Sequence, residues 1–346
     1  MRIATTVPTA DPRRSGALFA ELEALGYDTA FSFEGAHDPF LPLAVAATTT
    51  STVRLGTAVA IGFARNAMVL ANVGYDLQVL TEGRFVLGLG SQVRPHVEHR
   101  FGETWSHPAA RMAELVRAIK AIWAAWEGGG PLDFRGRFSH HTLMIPAFDP
   151  GPNPFGPPPV FTGGFGPRMT AVAGEVADGF LVHPFHTPAS LRATTLPALA
   201  EGLDASGRTP ADLEVVLVTM VVTWDDGDDE AEARARASLA DQLAFYGSTP
   251  AYLPTLAAEG CADLHPELNR RSKEGRWAEM AGLIPDGLAE TVAVVGPRHE
   301  VAARLAERVE GLGLPRATVS LVNNRNPDPG HFGDVVAALR ARGNGA

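Results

Sequence analysis

The feature that most constrains the fold is a regular alternation of short apolar runs with longer amphipathic stretches. An apolar run of about four to eight residues has the length of a buried strand, whereas apolar residues that recur every three or four positions indicate a helix. Eight such strands are predicted, at 2–7, 29–33, 53–59, 85–89, 160–162, 179–182, 213–222 and 318–322. Because eight strand–helix units follow one another in a chain of 346 residues, the pattern favours a closed (β/α)8 TIM barrel of the α/β class over an open sheet.

The stretches between the strands predict the helices that cover the barrel. The clearest is 108–126, where Met112, Ile119 and Trp123 lie on one helical face. Two segments interrupt the alternation, at about 128–158 and 246–290, and the first is too rich in proline and glycine to be regular. We therefore expect one domain over residues 1–346 with two insertions, the second of which shapes the mouth of a substrate site.

The stretch 81–92 shows how a predicted strand ends in this chain. Its apolar run, 85–89, is followed by Gly90, Ser91 and Gln92, which are small and polar. Glycines at 88 and 90 leave room for another group to approach the backbone closely. Since the chemistry of a parallel barrel lies at the carboxyl ends of its strands, such strand ends are the first place to look for a site.

Composition excludes several classes of function. With 29 basic and 39 acidic residues, the net charge is −10, so neither a nucleic acid nor an anionic membrane surface is a predicted partner. A single cysteine, Cys261, excludes an internal disulfide and is compatible with a reducing cytoplasm, which is the predicted location. No apolar run is long enough to span a membrane. His96 and His99 lie three residues apart, but nothing near them completes a metal shell, so no metal site is predicted.

Several short motifs carry a resemblance that extends from residue 2 to about residue 322. The chain resembles the luciferase-like superfamily of flavin- and deazaflavin-dependent oxidoreductases. The matching segments are 26–28, 37–40, 54–59, 81–85, 87–91, 159–166, 177–180 and 295–296. Within that superfamily, the runs FARNAM and LGLGSQVRPHVEHRFG are similar to a branch that uses coenzyme F420.

The resemblance implies a function and a cofactor. It implies an F420-dependent oxidoreductase that transfers hydride between C5 of the deazaflavin and a small organic substrate with a C=C, C=N or carbonyl/alcohol group. Two alternatives stay open at this point: an FMN-dependent two-component monooxygenase, and a non-catalytic flavin- or ligand-binding paralogue. The resemblance also implies a homodimer.

Three residues are predicted to take part in catalysis. His37 matches the histidine of an Asp-His pair beside the ring in relatives, and imidazole titrates in the range that suits a proton donor or acceptor. Ala36 replaces the aspartate of that pair, and Glu34 is the carboxylate that could compensate. Gln92 lies where several relatives carry a glutamate; an amide can hold a carbonyl but cannot deliver a proton. The alternative for His37 is a loop residue that caps the helix beginning near Phe40.

The cofactor ring is predicted to lie against Ala58, Val59 and Ala60. This position matches the one where many relatives carry a cis non-proline peptide, which makes a bulge behind the ring, and small residues suit a flat surface. Ser91, after the next strand, is predicted to contact the cofactor or substrate. The alternative is an ordinary strand end with small residues in a crowded barrel.

A glycine-rich loop is predicted to bind the phosphate of the cofactor tail. It precedes a predicted helix, and backbone amides at a helix N-terminus form a site for anions. The loop residues are Gly163, Gly164, Phe165 and Gly166. Arg168 adds positive charge; the alternative for the loop is a tight turn.

Three further residues complete the predicted site. Arg65 follows the third strand and is predicted to bind the cofactor tail or the substrate. His96 and His183 follow the fourth and sixth strands and are predicted to contact the substrate.

Overall fold

The computed structural model describes residues 1–8, 11–322 and 328–343, and its centre is a closed barrel of eight parallel strands. The strands in chain order are β1 (Arg2–Thr6), β2 (Thr29–Ser32), β3 (Arg54–Thr57), β4 (Ala60–Ile61), β5 (Phe85–Gly90), β6 (Phe134–Arg135), β7 (His140–His141), β8 (Val160–Gly163), β9 (Gly179–Val182), β10 (Glu214–Trp224), β11 (Val294–Pro297) and β12 (Ala317–Val322). The barrel order is β1-β2-β3-β5-β8-β9-β10-β12, and β12 pairs with β1 to close it. The predicted (β/α)8 barrel is therefore confirmed, and each of its eight strands overlaps a predicted one.

Helices connect successive strands and cover the outside of the barrel. They are α1 (Ser15–Ala24), α2 (Phe40–Ala47), α3 (Ala67–Leu80), α4 (Pro108–Trp126), α5 (Pro167–Val176), α6 (Pro188–Ser190), α7 (Leu196–Ala205), α8 (Asp229–Gly247), α9 (Leu253–Ala258), α10 (Leu264–Lys273), α11 (Asp286–Val292), α12 (Arg298–Glu310) and α13 (Gly333–Gly343). A π-helical turn at Leu191–Thr195 joins α6 to α7, so residues 188–205 form one continuous helical segment. Helix α4 occupies the predicted residues and buries Met112, Ile119 and Trp123.

The amino-terminal end of the barrel is filled by a buried ion pair. Glu214, whose side chain is 2% exposed, accepts hydrogen bonds from Arg2, Arg54 and Thr318. These contacts hold the pKa of Glu214 below its usual value, although burial alone would raise it. Four strands are thus joined at the end of the barrel that lies away from the predicted site.

Between this ion pair and the opposite end of the barrel, the inward-facing side chains of the strands form successive layers. Above the ion pair lies an apolar layer that includes Ala4, Phe31, Phe161, Leu181 and Val216. Because side chains two residues apart on a strand face the same side, the next layer consists of the residues two positions further along each of these strands. That layer contains Thr6, Phe33, Gly163, His183 and Val218, and all of them line a cavity.

The longest strand, β10, has two parts. Its first part pairs with β9 and β12 inside the barrel, whereas Val221–Trp224 pairs with β11 instead. Strand β11 is not among the eight strands predicted from the sequence. Its three apolar or glycine residues before a proline are too few to show a strand pattern.

The chain between α8 and β11 builds a second apolar core beside the barrel. Buried residues from α8, α9 and α11, together with Met280, pack against the second part of β10. The segment after α4 instead contains the hairpin β6–β7, whose turn amides bind the carboxylate of Glu114. Treating these two segments as insertions in one domain stays a prediction. Among the helices of the described residues, none is long and apolar enough to cross a bilayer.

Candidate functional site

A cavity of ≈ 1310 Å³ lies at the carboxyl ends of the barrel strands. Ligand pockets usually measure about 300–1,000 Å³, so this one has room for a ring system and a second molecule beside it. Its walls come from the ends of β1, β5, β8, β9, β10 and β12 and from the chain after α8. The site is therefore at the end of the barrel where the sequence predicts it.

One wall of the cavity is a backbone bulge between β3 and β4. The Ala58–Val59 peptide is cis, as predicted, and both residues line the cavity. Ala60, in contrast, is fully buried in the main core and is not part of the cavity lining. The predicted contact of these three residues with a cofactor ring stays a prediction, and the geometry favours Ala58 and Val59 for it.

The glycines of the neighbouring strands make room for this bulge. A Cβ on Gly90 would lie 2.5 Å from Val59 Cγ2, and a Cβ on Gly163 would lie 3.1 Å from Val59 Cγ1. On Gly88 a Cβ would lie 1.8 Å from the carbonyl oxygen of Thr57. These positions therefore need glycine because Val59 and the Thr57 carbonyl occupy the space that a side chain would take.

The loop after β8 has the features of an anion site. Gly166 is the N-cap of α5, adopts φ +87° and offers no side-chain acceptor, so the first-turn amides of this helix have no capping partner. Gly164 leaves space for Met169, whose Cγ would be 2.3 Å from an added Cβ. The exposed Arg168 lines the cavity and has no ion-pair partner among the described residues. Gly163, Gly164, Phe165 and Gly166 line it as well.

Ser91 and Gln92 lie on the rim of the cavity after β5. Gln92 adopts φ +60°, which is uncommon for a residue other than glycine. Its side-chain oxygen accepts the N–H of Val93, and Ser91 Oγ donates to its backbone carbonyl. This arrangement fixes the turn, and its direct contact with substrate or cofactor stays a prediction.

The structure does not bring Glu34, His37 and Arg65 into the cavity lining. His37 is exposed in the loop after β2, and the side chain that caps α2 is Asp38, so the alternative reading of His37 as the cap is wrong. The buried carboxylate of Glu34 accepts hydrogen bonds from Arg65 and from the N–H of Ile61. Arg65 also pairs with Asp38. Both charged side chains are thus engaged with each other outside the cavity.

The two histidines predicted to contact substrate have different positions. His96 is exposed at the start of a π-helical turn and lies outside the cavity lining. His183 ends β9, lines the cavity and is enclosed by aromatic rings. Burial lowers the pKa of His183 to about 4, so its ring is neutral at pH 7.

An aromatic group surrounds His183 and lines the part of the cavity that adjoins the glycine loop, which contributes Phe165 to it. The rings of His183 and Tyr252 stack with centroids 4.5 Å apart, and Phe165 and Tyr246 meet them edge-on. Tyr252 Oη lies 3.0 Å from His183 Nε2. Burial, together with the nearby Tyr246, raises the pKa of Tyr252 to about 12. We call these four residues the aromatic group.

Tyr246, Tyr252, Trp105 and His107 are among the residues of the cavity lining that were not predicted individually. Tyr246 and Tyr252 come from the end of α8 and the turn after it, so their only sequence signal is their place in or beside the segment predicted to shape the mouth. Trp105 and His107 directly precede α4 and lie in the long connection that follows β5. Strand-end reasoning could not find these residues because each is many positions away from the strand before it.

The residues around the cavity fit a flat cofactor with an anionic tail. Ala58 and Val59 offer a small apolar surface, and the glycine loop offers backbone amides beside Arg168, which has no ion-pair partner within the described residues. Among the described residues, no three His, Cys, Asp or Glu side chains are grouped so that they could hold a metal.

Comparison with known proteins agrees with this geometry. The family model for luciferase-like monooxygenases matches residues 2–315. An uncharacterized protein of Mycobacterium tuberculosis is 47% identical over 313 residues, which are 90% of this chain and 91% of that protein. The F420-dependent glucose-6-phosphate dehydrogenase of Nakamurella multipartita is 30% identical over 242 residues, or 66% of this chain and 69% of the dehydrogenase.

A solved structure shares the whole fold. The coenzyme F420-dependent tetrahydromethanopterin reductase of Methanopyrus kandleri superposes with a TM-score of 0.77 at 20% identity, covering 97% of this chain and 96% of the reductase. At that identity the likeness concerns the fold alone, and the family assignment rests on the sequence match over most of the chain. The chain belongs to the luciferase-like monooxygenase family.

Proposed function

We propose that this protein is a coenzyme F420-dependent oxidoreductase that transfers hydride between C5 of the deazaflavin and a small organic substrate. The observation that carries the proposal is one cavity that combines a glycine loop and Arg168, which suit a flat anionic cofactor, with an aromatic group that suits a second molecule. The F420-dependent dehydrogenase among the relatives supports the choice of cofactor.

Each side of the cavity has a distinct task in this proposal. Ala58 and Val59 form the surface against which the ring packs, and Ser91 and Gln92 lie along the rim. The amides of the glycine loop, the first turn of α5 and Arg168 hold the phosphate of the tail. When bound, the deazaflavin accepts or supplies a hydride. The protein orients the two molecules, excludes water and supplies a proton.

A titration with two cofactors tests the proposal. The purified protein is titrated with F420 and, separately, with FMN, and fluorescence quenching is followed. We expect micromolar binding of F420 and weaker binding of FMN. Tighter binding of FMN would replace the proposal with a two-component monooxygenase, and binding of neither would favour a non-catalytic paralogue.

Arg168→Gln measures the contribution of the tail site. We expect the Kd for F420 to rise about tenfold, because a charge-assisted hydrogen bond to phosphate is lost. The increase should shrink at high salt, since screening weakens the same contact in the wild type. Arg234→Gln, at an exposed arginine of α8 that is paired with Glu230, is the matched control and should bind F420 as the wild type does. Equal affinity in Arg168→Gln would remove this residue from the site.

His37 keeps its proposed role as proton donor or acceptor until a variant is measured. If the role is correct, His37→Ala should lose turnover by about 100-fold or more while its affinity for F420 stays unchanged. Wild-type turnover would instead agree with the exposed position of His37 outside the cavity lining. The proton would then come from a group inside the cavity.

The homodimer is also a proposal, since the resemblance alone implies it. Light scattering during size-exclusion chromatography tests it directly. A mass near 37 kDa would identify a monomer, because one chain has a mass of 36.6 kDa.

A further inference from the structure

The hydrogen bonds of His183 determine which of its nitrogens carries the proton. The N–H of Phe185 donates to His183 Nδ1 over 3.2 Å, so Nδ1 must present a lone pair. A neutral imidazole with a bare Nδ1 carries its proton on Nε2. Nε2 therefore donates to Tyr252 Oη, which lies 3.0 Å away.

Because Tyr252 Oη is the acceptor in the hydrogen bond from His183, the hydrogen of the Tyr252 hydroxyl takes no part in that bond. The oxygen of Tyr252 accepts from His183, and no other hydrogen-bond partner of this hydroxyl exists in the part of the chain that the structure describes. Tyr252 is half-buried, so this hydrogen stays available to water or to a molecule that displaces water from the cavity. Because Tyr252 lines the cavity, an acceptor atom on a bound molecule can take that hydrogen.

Contacts on several sides hold Tyr252 in place. Its ring stacks on His183 at an interplanar angle of 25° and meets Phe165 edge-on at 4.9 Å. Three residues further along the chain, Thr255 Oγ1 donates to the carbonyl of Phe185 and ties the start of α9 to the end of β9. A hydroxyl on such a support is positioned before the substrate arrives, as catalytic groups need to be.

We propose that Tyr252 is a catalytic residue that donates a hydrogen bond, and during turnover its proton, to a neutral acceptor atom on an otherwise apolar or aromatic substrate, and that His183 is the positioning residue that orients it. The inference rests on the proposed function. The groups packed around the hydroxyl are aromatic rings without charge, so this side of the cavity favours a neutral substrate group such as a ketone or aldehyde.

For the reduction of a carbonyl substrate to an alcohol, the protons and electrons balance. The carbonyl carbon receives the hydride that the reduced deazaflavin supplies, and the C=O π pair takes the proton from Tyr252 Oη, so the substrate gains two electrons and becomes an alcohol. The cofactor is oxidised by the same two electrons, and the tyrosinate recovers a proton from water. Since burial keeps the pKa of Tyr252 near 12 and that of His183 near 4, both are neutral at pH 7, and Tyr252 is a donor there rather than a base.

A binding experiment without cofactor tests the hydrogen bond. Benzamide offers an aromatic ring with a carbonyl that hydride does not reduce, and toluene offers a similar ring without an acceptor. In Tyr252→Phe the Kd for benzamide, measured by NMR titration, should rise about five- to tenfold, whereas the Kd for toluene should stay within twofold. An equal change for both probes, or no change for benzamide, would overturn the inference.

Histidine NMR tests the positioning role of His183. In protein with 15N-labelled histidine, the His183 ring should show the Nε2–H tautomer; an Nδ1–H tautomer would overturn the argument. His183→Gln keeps an N–H donor for Tyr252, and His183→Phe keeps only a ring, so benzamide affinity should fall less in the glutamine variant. Circular dichroism confirms that each variant is folded.

Kinetics test the proton transfer itself. With an aldehyde or ketone that oxidises reduced F420 on the wild-type enzyme, Tyr252→Phe should lower kcat at least 100-fold and leave the Kd for F420 unchanged. Unchanged kcat would remove Tyr252 from the chemistry. Because the benzamide titration uses no cofactor, loss of F420 binding would defeat the proposed function without affecting the hydrogen-bond result.

Discussion

At the scale of single residues, the glycines at the ends of β5 and β8 show how the bulge determines its neighbours. The sequence indicated that Gly88 and Gly90 leave room for a close approach to the backbone. The approaching groups belong to the chain itself, since they are the Thr57 carbonyl and the Val59 side chain. The close approach is therefore made within the chain, and contact of a cofactor with the bulge stays a proposal.

Substitution of these glycines separates stability from binding. Gly88→Ala places a Cβ 1.8 Å from a backbone oxygen, so β3 and β5 must separate, and we expect a loss of roughly 2–4 kcal/mol in the free energy of unfolding. In Gly90→Ala the contact is with the Val59 side chain, which can shift, so stability should fall by less. Its main effect should be at least a tenfold increase in the Kd for F420. Urea unfolding and the fluorescence titration measure the two effects.

Gly282→Ala is the matched control for both variants. Gly282 has open space around its Cβ position and lies away from the cavity lining. Its stability and its affinity for F420 should match those of the wild type. If Gly88→Ala were equally stable, the steric account of the glycine pattern would be wrong.

The residue scale also shows where reasoning from sequence was sufficient and where it failed. Gly163 and His183 line the cavity as predicted because strand ends meet at one end of a barrel, whereas Val59 was predicted from the position of the bulge in relatives. Glu34 and Arg65 follow strands as well, yet their opposite charges pair with each other instead of facing the cavity. Sequence position gives the end of the barrel but not the direction of a side chain.

At the scale of secondary-structure elements, the network of Glu34, Asp38 and Arg65 joins β4 to the loop that starts α2. Arg65 binds both carboxylates and lies 5.4 Å from the centre of the Phe40 ring. Glu34 in turn holds the N–H of Ile61 at the end of β4. Removal of Arg65 leaves the buried charge of Glu34 without its partner.

Arg65→Met should therefore destabilise the protein by roughly 3–5 kcal/mol, as measured by urea unfolding. The exposed pair of Arg234 and Glu230 supplies the comparison, because Arg234→Met should cost less than about 1 kcal/mol. A small effect of Arg65→Met on stability with a large effect on F420 affinity would contradict this structural role. That result would support the predicted cofactor contact of Arg65 instead.

The elements that were predicted well from the sequence are those that pack against the core in the same way along their whole length. Buried barrel strands are continuous apolar runs, and helices such as α4 have one apolar face. The elements that were missed pair or pack on only part of their surface. Strand β11 pairs with β10 on one side only, and the helices of the second core bury few residues each because they cover one another in part.

At the scale of the whole molecule, the buried neutral histidines near the cavity make the free energy of unfolding depend on pH. Burial lowers the pKa of His183 to about 4 and that of His186 to about 3, so both stay neutral in the folded protein when the unfolded chain already binds protons. The unfolded state therefore holds more protons below pH 6.5. The contribution of these histidines to the free energy of unfolding is fully present above pH 6.5. It is lost as the pH falls toward 4 for His183 and toward 3 for His186.

We expect the free energy of unfolding to fall between pH 6.5 and 5 by up to about 1.4 kcal/mol per pH unit for each histidine. Carboxylates with lowered pKa values, such as Glu23 at about 2, contribute to acid unfolding only below their unfolded value of 4.5, so this window isolates the histidines. Urea unfolding at several pH values measures the slope.

His186→Asn is the informative variant for this slope. His186 Nδ1 donates to the carbonyl of His183, and an asparagine amide can replace that donor without titrating. The variant should lose the part of the slope between pH 6.5 and 5 that His186 contributes, and the rest should remain, because burial lowers the pKa of His183, His141 and His331 as well. An unchanged slope would show that His186 is not the source of the pH dependence.

The two-part strand β10 has a consequence for how this protein can be altered. Because Val221–Trp224 pairs in parallel with β11, the chain that leaves after β10 has to run back to the start of this pairing, and the intervening segment bridges the length of the paired stretch. That segment contributes Tyr252 and the second core, whereas the cis bulge and the glycine loop belong to the barrel. Recombination at residues 225 and 293 would therefore exchange the substrate-facing wall as one unit. Chimaeras joined at these two positions would differ in the cavity wall that contains Tyr252. The barrel residues that are proposed to bind the cofactor would be the same in all of them.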